Sequence, residues 1–244
     1  MRELTFFVCT HNSAMTLERC LSSISVSEPD SPVMVIDQHS TDSSAQIAMK
    51  FGAEVHLENV GLGYARQLAF QLVQTEFLAF VDSDEELVRP SFFRDATRIL
   101  QDPRVGAVEG MGVGHRFAYG LPMGFVVLRS RDFRGRVIPS EINAREEYFV
   151  QRRLRSLGLS TVFVPNSKVH RSRFRKYKPE WEGANTRIAG GLSLGQLLFV
   201  LRVFILQSLN SRSYRNVLYL PVSYLKFLRG YLQPDQWRNL RLVD

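Results

Sequence analysis

Phe77-Leu78-Ala79-Phe80-Val81-Asp82-Ser83-Asp84-Glu85 is the stretch on which the reading of this chain turns. Its apolar run, Phe77–Phe80, has the length and composition of a buried parallel strand. Two carboxylates, one residue apart, follow where that strand stops. Alternate residues of an extended segment point the same way, so Asp82 and Asp84 are expected to converge on one point. Like charges repel there, and a divalent cation relieves the repulsion. Hard oxygen ligands on a half-open site suit Mg²⁺ or Mn²⁺ holding a substrate diphosphate. An Asp-x-Asp by itself also describes a solvated turn, so its meaning rests on what surrounds it.

Upstream of it the chain alternates strand and helix. Strands are expected at Leu4–Cys9, Val33–Ile36, Glu54–Leu57 and Phe77–Val81. Helices are expected at Ala14–Ile24, Ser43–Phe51 and Gly63–Val73, the second stopped by Gly52. This βαβα order implies an α/β fold with a doubly wound, mostly parallel sheet. Downstream, the pattern predicts a helix over Ser91–Leu100 and strands over Val105–Glu109 and Phe125–Arg129. A helix over Glu146–Leu157 follows, then a last short strand, Thr161–Val164, before a Pro165-Asn166 turn and His170. No internal repeat or low-complexity segment is present.

Ligands of doubly wound sheets bind beyond the carboxyl ends of the strands. Each predicted strand there ends in polar residues: Thr10-His11-Asn12 after the first, Asp37-Gln38-His39-Ser40 after the second, Asp82-Ser83-Asp84 after the fourth. All three should share one rim. Asp37, at a buried strand's end, can accept from a ring N–H or a ribose hydroxyl. Ser40, Thr41 and Asp42 suit capping of the next helix. Asn59-Val60-Gly61-Leu62-Gly63-Tyr64-Ala65-Arg66 opens a helix. Its glycines let backbone approach a ligand closely, and Arg66 can meet a phosphate. Glu146-Glu147 reads either as acidic residues favouring a helix N-terminus or as a carboxylate general base. His170 is either an ordinary surface or core histidine or a group within reach of the metal or of a leaving diphosphate.

The chain has 244 residues and a net charge of +7, unevenly distributed. Residues 171–244 hold 13 Lys+Arg against 4 Asp+Glu, so the positive excess belongs to the C-terminal part and asks for an anionic partner there. Cys9 and Cys20 form no metal or disulfide pattern and read as small core residues of a reduced compartment. The N-terminus enters a strand directly, without the pattern of a signal peptide, so a cytoplasmic catalytic part is expected.

In this order and spacing, the pieces resemble family 2 glycosyltransferases of the GT-A fold over roughly residues 3–170. Thr10-His11-Asn12 looks like the family's first nucleotide-contacting turn. Ile36-Asp37-Gln38-His39-Ser40-Thr41-Asp42 looks like its Val-Asp-Asp-Gly-Ser-x-Asp turn, with Gln38 in place of the second Asp. Asn59-x-Gly61-x-Gly63-x-Ala65-Arg66 resembles its Asn-x-Gly segment, with Gln67 where Asn is more usual. Asp82-Ser83-Asp84 resembles its metal motif, and Glu146-Glu147 its Glu-Asp pair. By that match Glu147 is the base, a longer arm than Asp. His170 stands where the family often has a diphosphate-side histidine.

The resemblance implies an inverting transfer of a sugar from a UDP- or GDP-linked donor to a hydroxyl acceptor. Thr10, His11, Asn12, Asp37, Gly61, Arg66 and Asp82 would contact the nucleotide. Asp82, Asp84 and His170 would hold Mn²⁺ or Mg²⁺, and Glu147 with Glu146 would serve catalysis. A phosphate acceptor would already be ionised and need no base, so Glu147 favours a hydroxyl over a polyprenyl phosphate. Two other functions share parts of this pattern. A nucleotidyltransferase would carry a Gly-rich basic loop after its first strand, where this chain has Thr10-His11-Asn12-Ser13-Ala14. A non-catalytic sugar-nucleotide-binding protein need not keep Asp82, Asp84 and Glu147 together.

The reading therefore divides the chain into a catalytic domain, 1–178, and a basic, apolar helical region, 179–244. Ile188–Ser211 and Asn216–Leu232 are apolar, but neither holds 18 uncharged residues in a row, so neither reads as a membrane span. With Tyr, Trp237 and flanking Arg and Lys they resemble helices lying in a membrane interface. The basic run from Arg171 to Lys178 would face anionic headgroups. The expected setting is the cytoplasmic face of the cell membrane, with a lipid-linked or glycan acceptor. Packing on the core or in a homodimer is the alternative, and no nucleic-acid-binding motif accompanies the charge.

Overall fold

A computed structural model describes residues 3–118, 120–139, 142, 144–171, 178–210 and 214–237. The chain folds as two compact units. One comprises Met1–Val113 with Leu121–Ser172, the other Gly114–Gly120 with Arg173–Asp244.

The first unit is built on one eight-stranded sheet: β1 (Leu4–Thr10), β2 (Val33–Asp37), β3 (Glu54–Leu57), β4 (Phe77–Val81), β5 (Glu85–Leu87), β6 (Val105–Gly112), β7 (Phe125–Arg129) and β8 (Ser160–His170). Their order is β3-β2-β1-β4-β7-β6-β8-β5. The β3-β2-β1-β4 half is wholly parallel, as the alternating pattern predicts. In the other half only β6-β8 is parallel, while β4-β7, β7-β6 and β8-β5 are antiparallel. The sheet is thus mixed, with its parallel half on the N-terminal side.

Alternation along the strands divides the core between the two faces. Leu4, Phe6 and Val8 pack in one cluster with Leu17, Cys20, Leu21 and Ile24 of α1 (Ala14–Ser27), Ala48 of α2 (Ser44–Lys50), and Phe92, Phe93 and Ala96 of α4 (Phe92–Ile99). Phe7, Leu78 and Phe80 pack on the opposite face with Ala65, Ala69 and Phe70 of α3 (Leu62–Leu72) and Val150 and Leu154 of α5 (Glu147–Ser156). Helices therefore cover both faces, which is the doubly wound arrangement. Phe6 meets Phe93 edge-on at 4.6 Å, and Phe70 stacks on Phe133 at 5.1 Å.

Two local expectations are corrected. The last strand does not stop at Val164: β8 runs on to His170 through Pro165-Asn166. The ladder passes from Gly110↔Val164 to Gly112↔Lys168, so three β8 residues oppose one on β6. Asn166 takes up this bulge at φ 53°. Proline lacks a donor, which makes a bulge one of the few places it fits within a strand. The second correction concerns residues 82–84, which are not extended. Glu85 N donates to Asp82 O at 2.9 Å, closing a tight turn between β4 and β5.

The second unit contains α6 (Pro179–Gly190), α7 (Leu194–Asn210), α8 (Tyr214–Leu232) and α9 (Pro234–Trp237), and α7 and α8 pack through Val200, Phe204, Phe227 and Tyr231. α6 and α8 touch backbone to backbone: a Cβ on Gly183 would lie 2.0 Å from Phe227 O, and one on Gly230 1.8 Å from Glu180 O. Tyr231 OH donates to Gly191 O at 2.7 Å. Asn210 binds the Gly114–Gly120 segment, accepting from Arg116 N at 3.0 Å and donating to Phe117 O at 2.9 Å. No described helix is long and apolar enough to cross a membrane. Leu194, Leu198, Phe199, Ile205 and Leu209 of α7 and Leu218, Tyr219, Val222, Leu225 and Leu232 of α8 are nevertheless exposed. The basic run expected to face headgroups lies, between Arg171 and Lys178, outside the described residues.

Candidate active site at the carboxyl rim of the sheet

Because β1, β2 and β4 are parallel, the turns that follow them emerge on one edge, and hydrogen bonds tie them together. Asn12 N donates to Ser40 Oγ at 2.9 Å, and Asn12 Oδ1 accepts from Thr41 N at 2.8 Å. His11 Nδ1 lies 2.7 Å from Gln38 O. Ser83 Oγ bonds Ser13 Oγ at 3.0 Å, joining the β4 turn to the β1 turn. Asn12 and His39 both sit at positive φ, 49° and 47°, which Asn and His tolerate better than most residues. Asp37 is buried at the end of β2 and accepts from Ser40 N at 3.0 Å and from Ser40 Oγ. Asp42 accepts from Ala14 N and Ser44 N, the first residues of α1 and α2, at 3.0 and 2.9 Å. One carboxylate thus serves two helix starts, a stronger form of the predicted cap.

The Gly61 segment is held by a residue that pattern reading overlooks. Glu58 is buried, and its Oε2 accepts from Val60 N at 2.7 Å and Gly61 N at 2.8 Å. Gly61 has φ 139°, a conformation open to glycine alone at reasonable cost. A Cβ on Gly63 would fall 2.0 Å from Ile142 O, so α3 starts against that loop. Gln67, at the position where the resemblance prefers Asn, is buried. It accepts from Val137 N and Ile138 N at 2.8 Å and donates to Gly135 O at 3.0 Å, fastening the chain that leads to α5.

Arg66 is the hub. It is 2 % exposed, its guanidinium lies over the Phe80 ring, and it donates to Met123 O. Its Nη2 donates to Asp82 Oδ1 at 2.9 Å, and its Nε lies 3.0 Å from Glu146 Oε1. A buried guanidinium joins the end of β4 to the residue that caps α5. Despite burial, the carboxylates of Asp82 and Glu146 hold it firmly protonated. Burial, reinforced by the charge of Glu147, pushes Glu146 up to about 7 against the pull of Arg66. The Arg66 Nε–H is off line for a hydrogen bond to Glu146, so the attraction is Coulombic and does not overcome desolvation. Glu147 is more open, with 22 % of its side chain exposed against 6 % for Glu146, and pairs with Arg145 Nη1 at 3.3 Å.

Asp82 and Asp84 face different partners. Asp82 turns to Arg66, whereas Asp84 Oδ2 lies 3.6 Å from His170 Nε2. The register that sets Glu85 opposite His170 brings this histidine to the rim. Asp82 also depends on Gly124, whose Cβ would sit 2.4 Å from Asp82 Oδ2. Among the described residues no group of three or more His, Cys, Asp or Glu side chains stands close enough to hold a metal ion. The Asp84–His170 separation of 3.6 Å is wider than the ~3 Å between adjacent ligands of an octahedral cation at metal–ligand distances of ~2.1 Å, so a shared ion would have to draw the two side chains together. Cys9 and Cys20 are free thiols, and desolvation raises Cys20 well above its usual range.

The model of the glycosyl transferase family 2 matches residues 5–157, well over half of the chain. The chain belongs to that family. Putative glycosyltransferase EpsH of Bacillus subtilis (strain 168) is 26% identical over 106 residues, 41% of this chain and 30% of that protein. An uncharacterized glycosyltransferase of Rickettsia felis is 33% identical over 89 residues, 36% of this chain and again 30% of the relative. The matched segment thus spans under a third of these family members. Among solved structures, the mannosyltransferase PcManGT of Pyrobaculum calidifontis, in complex with GDP-Man and Mn²⁺, superposes with a TM-score of 0.72 at 14% identity, over 97% of this chain and 88% of that one. Glucosyl-3-phosphoglycerate synthase of Mycobacterium tuberculosis, in complex with Mn²⁺, UDP and glucosyl-3-phosphoglycerate, gives 0.60 at 19% identity, over 79% and 81%. The fold is that of the GT-A glycosyltransferases.

Proposed function

We propose that this chain is an inverting glycosyltransferase that moves a sugar from a UDP- or GDP-linked donor to a hydroxyl on a lipid-linked or other membrane-proximal glycan. The observation that carries the reading is the buried Arg66, which binds Asp82 and Glu146 together. It couples the diphosphate side of the rim to the head of α5, where Glu147 stands. Family membership and the donors and metals in PcManGT and the mycobacterial synthase support the donor class.

In this reading Asp37 and the Thr10–Asn12 turn receive the nucleoside, and the Gly61 segment lets backbone approach it. Mn²⁺ or Mg²⁺ would be held by Asp84 and His170, with Asp82 alongside. When bound, such an ion offsets the negative charge that grows on the leaving diphosphate. Glu147 takes the proton from the acceptor hydroxyl as its oxygen bonds to the anomeric carbon, and the bond from that carbon to the diphosphate breaks on the opposite face. Glu146 is too enclosed to meet an acceptor. It holds Arg66, and through it Asp82, in place.

The test is sugar transfer from UDP- and GDP-sugars with Mn²⁺, alongside donor binding. Glu147→Gln should lower turnover by roughly 10²–10⁴-fold with donor affinity nearly unchanged. If Glu147→Gln turns over normally and only Glu146→Gln binds without turning over, Glu147 is not the base. If neither change matters, the acceptor is already ionised, as a polyprenyl phosphate would be, and the hydroxyl-acceptor reading falls. The membrane assignment draws on the exposed apolar side chains of α7 and α8 and on the +9 charge of residues 171–244.

A further inference from the structure

Behind Asp84 and His170 lies a row of charged side chains with no role in the reaction above. Glu85, directly opposite His170 on β5, is 7 % exposed. Lys168 precedes His170 by two residues on β8, so both side chains leave the same face of the strand. Glu85 Oε1 lies 3.0 Å from Lys168 Nζ and 3.5 Å from His170 Nδ1. Lys168 Nζ is also 3.8 Å from Glu109 Oε1, from the facing strand β6, and lies over the Phe125 ring. Glu109 is 2 % exposed, and burial raises it well above the usual carboxylate range. Enclosing the Lys168 ammonium and the Glu85 carboxylate is unfavourable unless the two are paired. A fold has little reason to bear that at a sheet edge unless the group that emerges from it, His170, must be held.

We propose that Glu85 is a positioning residue: its Oε1 holds the Nδ1–H of His170 against the competing pull of Asp84 Oδ2 at Nε2, and so presents Nε2 to a divalent cation shared with Asp84. Lys168, braced by Glu109, fixes Glu85 for this task. The two ring nitrogens of histidine are distinguished by what the other one binds. Ligating histidines commonly donate their second N–H to a carboxylate, and loss of that partner weakens metal binding by roughly 10–100-fold. The inference rests on the reading of Asp84 and His170 as cation ligands, but its first readout needs no cation.

The experiment is ¹⁵N NMR of the full chain labelled at histidine, metal-free, at about pH 9, well above the ordinary imidazole pKa of ~6.5. Mn²⁺ titration of the same samples follows. Wild type should carry its His170 proton on Nδ1. Glu85→Leu should move it to a mixture rich in Nε2–H and weaken Mn²⁺ binding by roughly 10–100-fold. Glu85→Gln keeps an oxygen for Lys168 to hold and should retain the Nδ1–H form. An unchanged tautomer and Mn²⁺ affinity in Glu85→Leu overturns the proposal. So does wild-type protein with its proton on Nε2, which decides the matter even if the leucine variant does not fold. If the tautomer shifts as expected while wild type binds no Mn²⁺, the positioning stands and the cation reading of Asp84 and His170 is what fails.

Discussion

Gly124→Ala is the most economical probe of how Asp82 is held. Gly124 N-terminally adjoins β7, does not have a positive φ, and so accepts alanine without backbone strain. The added Cβ would lie 2.4 Å from Asp82 Oδ2, a full ångström short of the 3.4 Å at which ordinary contact begins, and 2.9 Å from its Cγ. Something must yield. Asp82 N is bonded to Gly124 O at 2.7 Å, which pins the two backbones together. The side chain is freer, being 41 % exposed, and it will swing toward solvent. That swing breaks the 2.9 Å bond to Arg66. Relief into solvent keeps the stability loss at the low end of overpacking, about 1 kcal/mol. Function should suffer more, because a ~1 Å misplacement of a positioned group costs about 10²-fold in rate. We expect kcat/KM for sugar transfer to fall by about that factor, with the melting temperature lowered by only a few degrees. The assays are initial-rate kinetics and thermal unfolding on the same preparation. Wild-type kcat/KM in Gly124→Ala would refute the claim that the Arg66–Asp82 geometry matters. A loss of activity matched by gross destabilisation would locate the damage in the fold instead.

Two further outcomes are expected. Glu146 has its carboxyl raised from 4.5 to about 7, so the folded protein binds this proton more tightly than the unfolded chain. Its contribution is therefore most favourable below pH ~4.5 and is lost as pH rises through about 7, by up to roughly 3 kcal/mol at ~1.4 kcal/mol per pH unit. Urea unfolding of wild type and Glu146→Gln across that interval should show the variant lacking this slope; parallel curves would rule it out. For the second unit, the full chain should float with acidic liposomes at low salt and less so at high salt, because charge attraction to headgroups is screened. Protein that stays monodisperse and unbound at low salt would refute interfacial attachment, and a defined dimer would assign the exposed α7 and α8 side chains to self-association.

Local pattern determined much of this molecule. The strands Glu54–Leu57, Phe77–Val81 and Phe125–Arg129 lie where alternation and apolar runs place them, and α1 to α5 differ from expectation only at their ends. This is legible because helix and strand periods are imposed by the nearest few residues. The βαβα order also implied the shared rim, since parallel strands end on one edge. What local pattern did not carry is what distant segments do to each other. Residues 82–84 form a turn, and so Asp82 and Asp84 serve Arg66 and His170 separately. β8 continues past Pro165 because pairing with β6 and β5 carries it through a bulge. Glu58, Gly124, Lys168 and Glu109 bear no motif. Each matters only through a partner brought near by the sheet, as Gly124 does through an aspartate 42 residues away that its missing side chain leaves room for. Sequence order decides which residues can lie on the rim; burial, close approach and the low dielectric around Arg66 decide which of them act on one another.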